Sequence, residues 1–329
     1  MIRTLSRIFG AATARRRQWY AADRSRRRRL ARPVVSVGNL RVGGSGKTPT
    51  VAYIARVLQD AGERPAILSR GYGRKRAPAG ATVVSTGADV VAGLDEAGDE
   101  PLMLARALPG VIVVVGARRY DCGLEAERLG ATVHLLDDGF QHVALERTTD
   151  LVLVDEEDLG DLPFPAGHLR EPIERAAVAD ALLVTAGYDS AVRRIADAVG
   201  VATAFRVSRV IAAPRMVATR ESVVVPTEAR VFALAGIARP ERFFADVEGA
   251  GWRIVGTKVF GDHHRYSDRD VMRLADAART RAAAIVLTTE KDAVRLAACE
   301  LGDLPCAYVP LVATVEPEAE FREWLLGRL

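Results

Sequence analysis

The chain has 329 residues, of which 49% are hydrophobic and 27% charged, a composition typical of a soluble globular protein with room for two domains. Its three cysteines show neither the spacing of a metal site nor a disulfide framework, which indicates a reducing compartment. The net charge of +4 is unevenly placed, because residues 1–32 contain eleven arginines and one acidic residue while the remaining chain carries −6.

The first predicted element is the basic arm, residues 1–32. Its apolar residues recur near one face of a helix: Ile2, Leu5, Phe9, Ala12 and Trp19. The apolar run is too short and too charged to span a bilayer, and the arm lacks the apolar core and cleavage site of a signal peptide. We expect it to lie on an anionic membrane surface as a peripheral anchor.

Two other interpretations of the arm stay open, a solvated or internally docked basic segment and a nucleic-acid-binding tail. Trp19 and Tyr20 stand beside the charges, as aromatic residues do at a membrane interface. We therefore expect a membrane partner and no nucleic acid. Nothing in the sequence indicates an oligomeric state.

After the arm, apolar strands alternate with helices, which predicts an α/β fold with a parallel sheet covered on both faces. The predicted strands are Pro33–Val37, Ala66–Ser69, Val111–Val115, Thr132–Leu136, Leu151–Val154 and Ala181–Thr185. The predicted helices between them are Val51–Ala61, Glu100–Ala107 and Leu124–Leu129.

Two further strand signals, Ala204–Arg209 and Glu221–Val225, are predicted to form a connector. A second alternating block follows from Arg230, including a helix from Asp268. We therefore expect residues 33–225 to form the larger domain with its connector. Residues 226–329 are expected to form a smaller α/β domain.

The stretch "VGNLRVGGSGKTPT", which begins at Val37, has the order of a phosphate-binding loop: a strand end, a glycine-rich turn and a helix start. Lys47 can reach terminal phosphates, and the Thr48 hydroxyl can bind Mg²⁺. The expected nucleotide-binding residues are Gly43, Gly44, Ser45, Gly46, Lys47 and Thr48. Arg41 stands where the standard pattern has its first glycine. The alternative interpretation of the whole stretch is a glycine-rich turn that binds no phosphate.

A second motif, "HLLDDGFQH", places Asp137 and Asp138 at the end of an apolar strand. The carboxyl end of that strand faces the same edge of the sheet as the phosphate-binding loop. Because Mg²⁺ prefers few carboxylates together with water and phosphate oxygens, we expect Thr48, Asp137 and Asp138 to hold it. A solvated turn is the alternative.

The guanine-reading N-K-x-D motif of a GTPase is missing from "VTAGYDS" and "LTTEKDA", which argues against GTP.

Several motifs occur together and in order: "SVGNLRVGGSGKTP", "SRGYGRK", "GDEP", "LLDDGFQH", "PAGHLREP", "DHHRYS" and "TTEKDAVRL". In this combination the chain resembles the tetraacyldisaccharide 4'-kinases, the lipid A 4'-kinases of Gram-negative bacteria, from about Pro33 to its C-terminus. The resemblance implies a P-loop NTPase-like domain followed by a smaller domain. Family members often begin with a more hydrophobic helix than this arginine-rich arm.

The resemblance also implies the reaction. ATP with Mg²⁺ donates its γ-phosphate to the 4'-hydroxyl of an acylated glucosamine disaccharide 1-phosphate, at the cytoplasmic face of the inner membrane. A P-loop ATPase acting as a switch or assembly factor, and a non-catalytic lipid or nucleotide binder, are the rival functions.

Asp99 matches the acid–base position of the family, and a carboxylate there can orient a sugar hydroxyl and accept its proton. Capping of the following helix is the alternative role. The resemblance suggests that His263, rather than His264, pairs with Asp99 when the domains close. The expected catalytic residues are Asp99, His263 and Lys47.

A last group consists of substrate-binding candidates, chosen because phosphorylated groups attract guanidinium groups. These candidates are Arg70, Tyr72, Arg118, Arg119, Arg170 and Glu171. With 42 arginines in the chain, chance placement is the alternative for each. Lys291 is a further candidate for the nucleotide cleft, and an ordinary helix start explains it equally well.

Overall fold

A computed structural model describes residues 2–43 and 46–329, and the side chains of residues 3–5, 7–9 and 24 lie outside this description. Within it, fourteen strands form two sheets. The strands are β1 Val34–Asn39, β2 Pro65–Ser69, β3 Ala81–Thr86, β4 Ile112–Gly116, β5 Val133–Asp137, β6 Thr149–Asp155, β7 Ala181–Thr185, β8 Ala204–Ile211, β9 Arg215–Met216, β10 Arg230–Ala235, β11 Arg253–Val259, β12 Ile285–Thr289, β13 Cys306–Val309 and β14 Leu311–Glu316.

Helices precede, join and cover these strands. They are α1 Ile2–Ala21, α2 Lys47–Asp60, α3 Leu94–Ala97, α4 Asp99–Ala107, α5 Arg119–Arg128, α6 Asp189–Val199, α7 Pro240–Gly249, α8 Asp268–Thr280, α9 Glu290–Leu296 and α10 Glu318–Leu326.

The larger sheet has nine strands in the order β14-β8-β7-β6-β1-β5-β2-β4-β3. Its six central pairings are parallel, and in the described structure only the edge strands β3 and β14 pair antiparallel with their neighbours. Alternate residues of each strand pack on opposite faces: Val35 and Val37 of β1 lie in the cluster with α2, α4 and α10, whereas Val34 packs with α5. The α/β fold with a P-loop NTPase-like sheet is confirmed.

The smaller sheet has the order β11-β10-β12-β13-β9, with its only antiparallel pairing between β13 and β9. Helix α7 packs on one face through Phe243 and Val247, and α8 packs on the other through Val271 and Leu274. After this sheet the chain returns to the larger one, because β14 pairs with β8 and Phe321 of α10 joins its core. The division at residue 225 stays a prediction.

The strand predicted at Glu221–Val225 is wrong. The backbone N–H of Val223 donates to the carbonyl of Pro214, and the carbonyl of Val225 accepts from the indole of Trp252. Each of these two backbone groups thus makes one hydrogen bond, and Val224 is 91% exposed. Within the predicted range only Ser222 forms a bridge, antiparallel to Arg215 of β9, so the apolar run with β propensity does not extend into a strand.

The basic arm contains α1 and docks against the loops that follow β5 and β6. The Arg17 side chain forms an ion pair with Glu171 at 2.5 Å and lies over the Phe140 ring at 4.0 Å. Ser6 donates to the carbonyl of Pro163. Of the predicted apolar stripe, Ile2 and Trp19 are more than half exposed, whereas the Leu5 and Phe9 side chains lie outside the description. Among the described residues, no helix combines the length and hydrophobicity that crossing a bilayer requires.

Candidate active site

The phosphate-binding loop joins β1 to the first turn of α2. Gly46 has φ 77°, a left-handed conformation that favours glycine, immediately before the helix begins at Lys47. The Lys47 ammonium lies 2.7 Å from Oδ1 of Asn39 and 3.3 Å from Oδ1 of Asp138. Backbone N–H groups at a helix start attract anions, so the loop suits a phosphate. Gly44 and Ser45 are outside the described residues.

The position of Arg41 explains why a glycine is not needed there. Its side chain is buried and its Nε donates to Asp158 at 2.7 Å, with Asp161 at 3.4 Å. The guanidinium thus turns away from the loop into carboxylates that follow β6. Arg41 anchors the loop, and Gly43 with φ 95° supplies the turn.

The carboxylate pair lies directly beside this loop. Asp137 ends β5 and is the neighbour of Val37 in β1, so both strand ends reach the same edge of the sheet. The following turn fits tightly against β1, since a Cβ on Gly38 would lie 2.6 Å from the backbone nitrogen of Phe140. Asp138 has φ 55°, in the left-handed region that Asp adopts more readily than most other residue types.

The two carboxylates have different surroundings. Asp137 is 4% exposed and accepts a hydrogen bond from Ser69 at 3.0 Å. Burial, followed by the charges of Glu100 and Asp138, raises the pKa of Asp137 to about 6. Partial burial also acts to raise the pKa of Asp138, but Lys47 and Arg170 outweigh it and lower that pKa. Arg170 Nη1 lies 2.8 and 2.7 Å from the two Asp138 oxygens.

This pair fits a divalent cation. The acidic groups around Asp137 repel one another in a buried place, and a bound cation would relieve that repulsion. Among the described residues no group of three or more His, Cys, Asp or Glu side chains forms a metal cluster. Two carboxylates with Thr48 in the first turn of α2 are a donor set that suits Mg²⁺, which prefers few carboxylates together with water and phosphate oxygens.

Across the cleft, Asp99 and His263 meet. Asp99 is the first residue of α4 and 4% exposed, and His263 follows β11 with φ 59°. The Asp99 Oδ2 to His263 Nδ1 distance is 2.8 Å. Burial alone would raise the pKa of Asp99, but the hydrogen bond to His263 and the charges of Lys291, His263 and Arg295 lower it. The Asp99 carboxylate is thus ionised near neutral pH.

The capping role considered for Asp99 is only partly present. Gly98 with φ 84° precedes the helix as its N-cap, and a Cβ there would lie 2.5 Å from the carbonyl of Tyr72. Asp99 Oδ1 still accepts a hydrogen bond from the N–H of Glu100 at 3.0 Å, leaving Oδ2 for His263.

One cavity of about 1570 Å³ joins these groups. It is lined by Gly43, Gly46, Lys47, Thr48, Arg70, Tyr72, Arg119, Asp137, Asp138, Arg170 and His263, among others. The Tyr72 ring lies 5.1 Å from the His263 ring. Asp99 is buried next to His263, which lines the cavity.

Two of the predicted substrate-binding residues lie outside the lining of this cavity. Arg118 is exposed and pairs with Asp121 at 2.7 Å, and Glu171 is buried against Arg17 of the arm. Neither lines the cavity in the described part of the chain. Arg119, in contrast, is a buried residue that lines the cavity, and its Nη1 donates to the carbonyl of Gly116 at 2.9 Å.

Sequence reasoning left out several residues of the site. Asn39 fixes Lys47, and Ser69 fixes Asp137. Lys291, judged undecided from the sequence, lies 3.2 Å from Glu100 and 3.4 Å from His263 Nε2. Asn39 and Ser69 both end strands at this edge of the sheet, and that position was the available signal.

Comparisons with known proteins agree with this geometry. A family model described as Tetraacyldisaccharide-1-P 4'-kinase matches residues 1–329. The tetraacyldisaccharide 4'-kinase of Geobacter metallireducens is 42% identical over 302 residues, covering 90% of this chain and 88% of that protein. The enzyme of the same name from Anaeromyxobacter sp. (strain K) is 43% identical over 336 residues, covering 95% and 84%.

A solved structure is also similar. The crystal structure of LpxK from Aquifex aeolicus, described as an "apo" form in complex with ATP, superposes with a TM-score of 0.80 at 32% identity. The match covers 99% of this chain and 97% of that one. The full-length family match and these relatives lead to one conclusion: the chain belongs to the tetraacyldisaccharide-1-phosphate 4'-kinase family.

Proposed function

We propose that this kinase transfers the γ-phosphate of ATP to the 4'-hydroxyl of a tetraacylated glucosamine disaccharide 1-phosphate, a step in lipid A biosynthesis. The family assignment gives the enzyme class, a phosphotransferase that acts on a hydroxyl group. The observation that carries the proposal is the single cavity that joins the phosphate-binding loop, the carboxylate pair and His263. Donor, metal and acceptor chemistry are thereby brought within one cleft.

The donor side of the cleft would hold ATP with Mg²⁺. Lys47 and the N–H groups at the start of α2 would bind the phosphates, with Gly43, Gly44, Ser45 and Gly46 forming the turn. Thr48, Asp137 and Asp138 would hold Mg²⁺, which neutralises charge on the phosphate oxygens when bound. Arg170 would keep Asp138 oriented and add positive charge near the transferred group.

The acceptor side would use Asp99 as the general base. The 4'-hydroxyl is a weak nucleophile, and Asp99 would accept its proton as the hydroxyl oxygen attacks the γ-phosphorus, while the bond from that phosphorus to the β–γ bridging oxygen breaks and ADP leaves. His263 would orient this carboxylate through the 2.8 Å contact and share the proton as it arrives. The low pKa of Asp99 keeps it ionised before the transfer.

The lipid substrate also suggests where the enzyme works. We propose a peripheral enzyme at the cytoplasmic face of the inner membrane, held there by the basic arm. The arm's eleven arginines and the exposed Ile2 and Trp19 side chains support contact with anionic lipid. Arg16 of the arm also lines the cavity, so the arm adjoins the place where the lipid head group would enter.

The proposal is tested with γ-labelled ATP, Mg²⁺ and a tetraacylated disaccharide 1-phosphate in detergent micelles. We expect the label on the 4'-oxygen of the lipid, and none when the acceptor already carries a 4'-phosphate. Label released only as inorganic phosphate would contradict the proposal and support an ATPase that acts as a switch.

A further inference from the structure

A buried ion pair lies behind the cleft, on helix α9. Asp292 is 0% exposed and Arg295 3% exposed, and Arg295 Nη2 donates to Asp292 Oδ1 at 2.7 Å. Three further donors reach Asp292: the N–H of Gly236 at 3.0 Å, the Tyr266 hydroxyl at 2.6 Å and the Thr289 hydroxyl at 2.6 Å. A buried ion pair often adds little stability compared with apolar residues, so its presence here suggests a role other than stability.

The guanidinium of Arg295 uses the rest of its donors on the segments around the catalytic pair. Nη2 also donates to the carbonyl of Gly236 at 2.9 Å, and Nη1 donates to the carbonyl of His264 at 3.2 Å. His264 is the direct neighbour of His263. The loop that carries His263 is thus tied to α9 by its own backbone.

The same guanidinium also faces Asp99. Its Nε lies 3.8 Å from Asp99 Oδ2, the oxygen that contacts His263. Arg295 therefore contacts the His263 loop and lies beside the Asp99 carboxylate, and Asp292 fixes the orientation of its planar fork.

We propose that Arg295 is a positioning residue that holds Asp99 and the His263 loop in register across the cleft, with Asp292 as its anchor. The inference rests on the proposed function, because it concerns the proton acceptor of that reaction. A lysine could supply the positive charge, but its single ammonium group could not contact Asp292, the His264 carbonyl and Asp99 together, as the planar guanidinium does.

Charged groups from three elements surround Asp99. Glu100 lies on its own helix, His263 and Asp262 lie on the loop after β11, and Lys291 and Arg295 lie on α9. Burial raises the pKa of Asp99, and His263, Lys291 and Arg295 lower it. Loss of the Arg295 charge removes one contribution that lowers the pKa of Asp99, so that pKa rises. In a plot of kcat against pH, the acid limb, where kcat falls at low pH, therefore moves to higher pH.

The test compares Arg295→Met and Arg295→Lys with wild type in the labelled lipid assay. For Arg295→Met we expect kcat to fall roughly tenfold or more at neutral pH, an acid limb at higher pH and a KM for ATP within about twofold of wild type. For Arg295→Lys we expect a similar loss of kcat with an acid limb close to that of wild type, because charge is kept and the fork is lost.

Two controls separate positioning from general destabilisation. Leu274→Ala removes a buried side chain of the same small core and should lower Tm without moving the acid limb. Arg279→Met removes an exposed arginine of α8 and should change neither kcat nor the limb. If Arg295→Met does not fold, Arg295→Lys still decides through kcat.

Wild-type kcat in Arg295→Lys, or an acid limb that moves as far in Leu274→Ala as in Arg295→Met, would overturn the inference. These outcomes are read only against a wild-type enzyme that phosphorylates the lipid. If wild type transfers no label to lipid, the proposed function itself fails.

Discussion

Nδ1 of His263 lies 2.8 Å from Oδ2 of Asp99, although 164 residues separate them in the chain. Asp99 begins a helix of the larger sheet, and His263 follows a strand of the smaller one. The pair therefore exists only when both sheets are folded and in contact. This relationship links the proposed chemistry to the arrangement of the whole molecule.

If the two side chains act as a unit, their losses should not add. We expect the Asp99→Ala, His263→Ala double variant to transfer phosphate little more slowly than the worse single variant. The measurement is kcat for lipid phosphorylation in a double-mutant cycle, with His264→Ala as the neighbouring control. Losses that multiply fully would show that the two residues work independently.

Lys47 should be essential for transfer and dispensable for folding. Its ammonium fits between Asn39 and Asp138, where it can stabilise charge on the transferring group. We expect Lys47→Ala to lower kcat by at least about a hundredfold and Lys47→Arg to be severely impaired, because a planar fork does not fill a point-charge site. Lys258→Arg, at an exposed lysine, is the control. Wild-type turnover of Lys47→Arg would refute this assignment.

Mg²⁺ binding should depend on pH through Asp137. Its pKa is raised to about 6, and a proton and a cation compete for the same oxygens. Above pH 6 the carboxylate is ionised and open to the cation, whereas below it the apparent Kd for Mg²⁺ should weaken, approaching about tenfold per pH unit. Titration calorimetry with a non-hydrolysable ATP analogue measures this. Asp137→Asn should bind Mg²⁺ weakly and lose the dependence, and a flat wild-type profile between pH 5 and 7 would contradict the assignment.

The basic arm should bind anionic vesicles mainly through its exposed charges. Deleting the arm would also break the Arg17–Glu171 pair, so surface variants give a cleaner test. Arg15 and Arg29 are exposed, and changing both to Gln should weaken vesicle binding by about 2 kcal/mol, roughly thirtyfold, at low salt. Flotation with anionic vesicles measures the effect, and ATP binding should be unchanged. Equal flotation of variant and wild type would leave the arginines as a solvated surface.

The central strands were predictable because strands buried on both faces read as continuous apolar runs. Strand β7 has the predicted bounds, Ala181–Thr185, and β1, β2 and β5 differ from prediction by one or two residues at their ends. The edge strands β3 and β14 were not predicted. They are only partly buried, and the pairing of β14 with β8 is a long-range choice that periodicity does not encode.

The site is likewise divided into residues that local motifs predict and contacts that only the folded chain brings together. The phosphate-binding loop and Asp137 lie within short motifs, so spacing alone brings them to one edge of the sheet. The contact between Lys291 and Glu100 joins residues 191 positions apart. The role of Arg295 likewise arises from packing between the two sheets, and no local pattern in the sequence reports it.

The central claim is that Asp99 accepts the proton of the lipid hydroxyl in a cleft that binds ATP independently. The most direct test is Asp99→Asn in a single turnover with saturating ATP and Mg²⁺, with the affinity for ATP measured in parallel. We predict an ATP Kd within about twofold of wild type and transfer to the 4'-hydroxyl slowed by about a hundredfold or more. Transfer at the wild-type rate by Asp99→Asn would contradict the account.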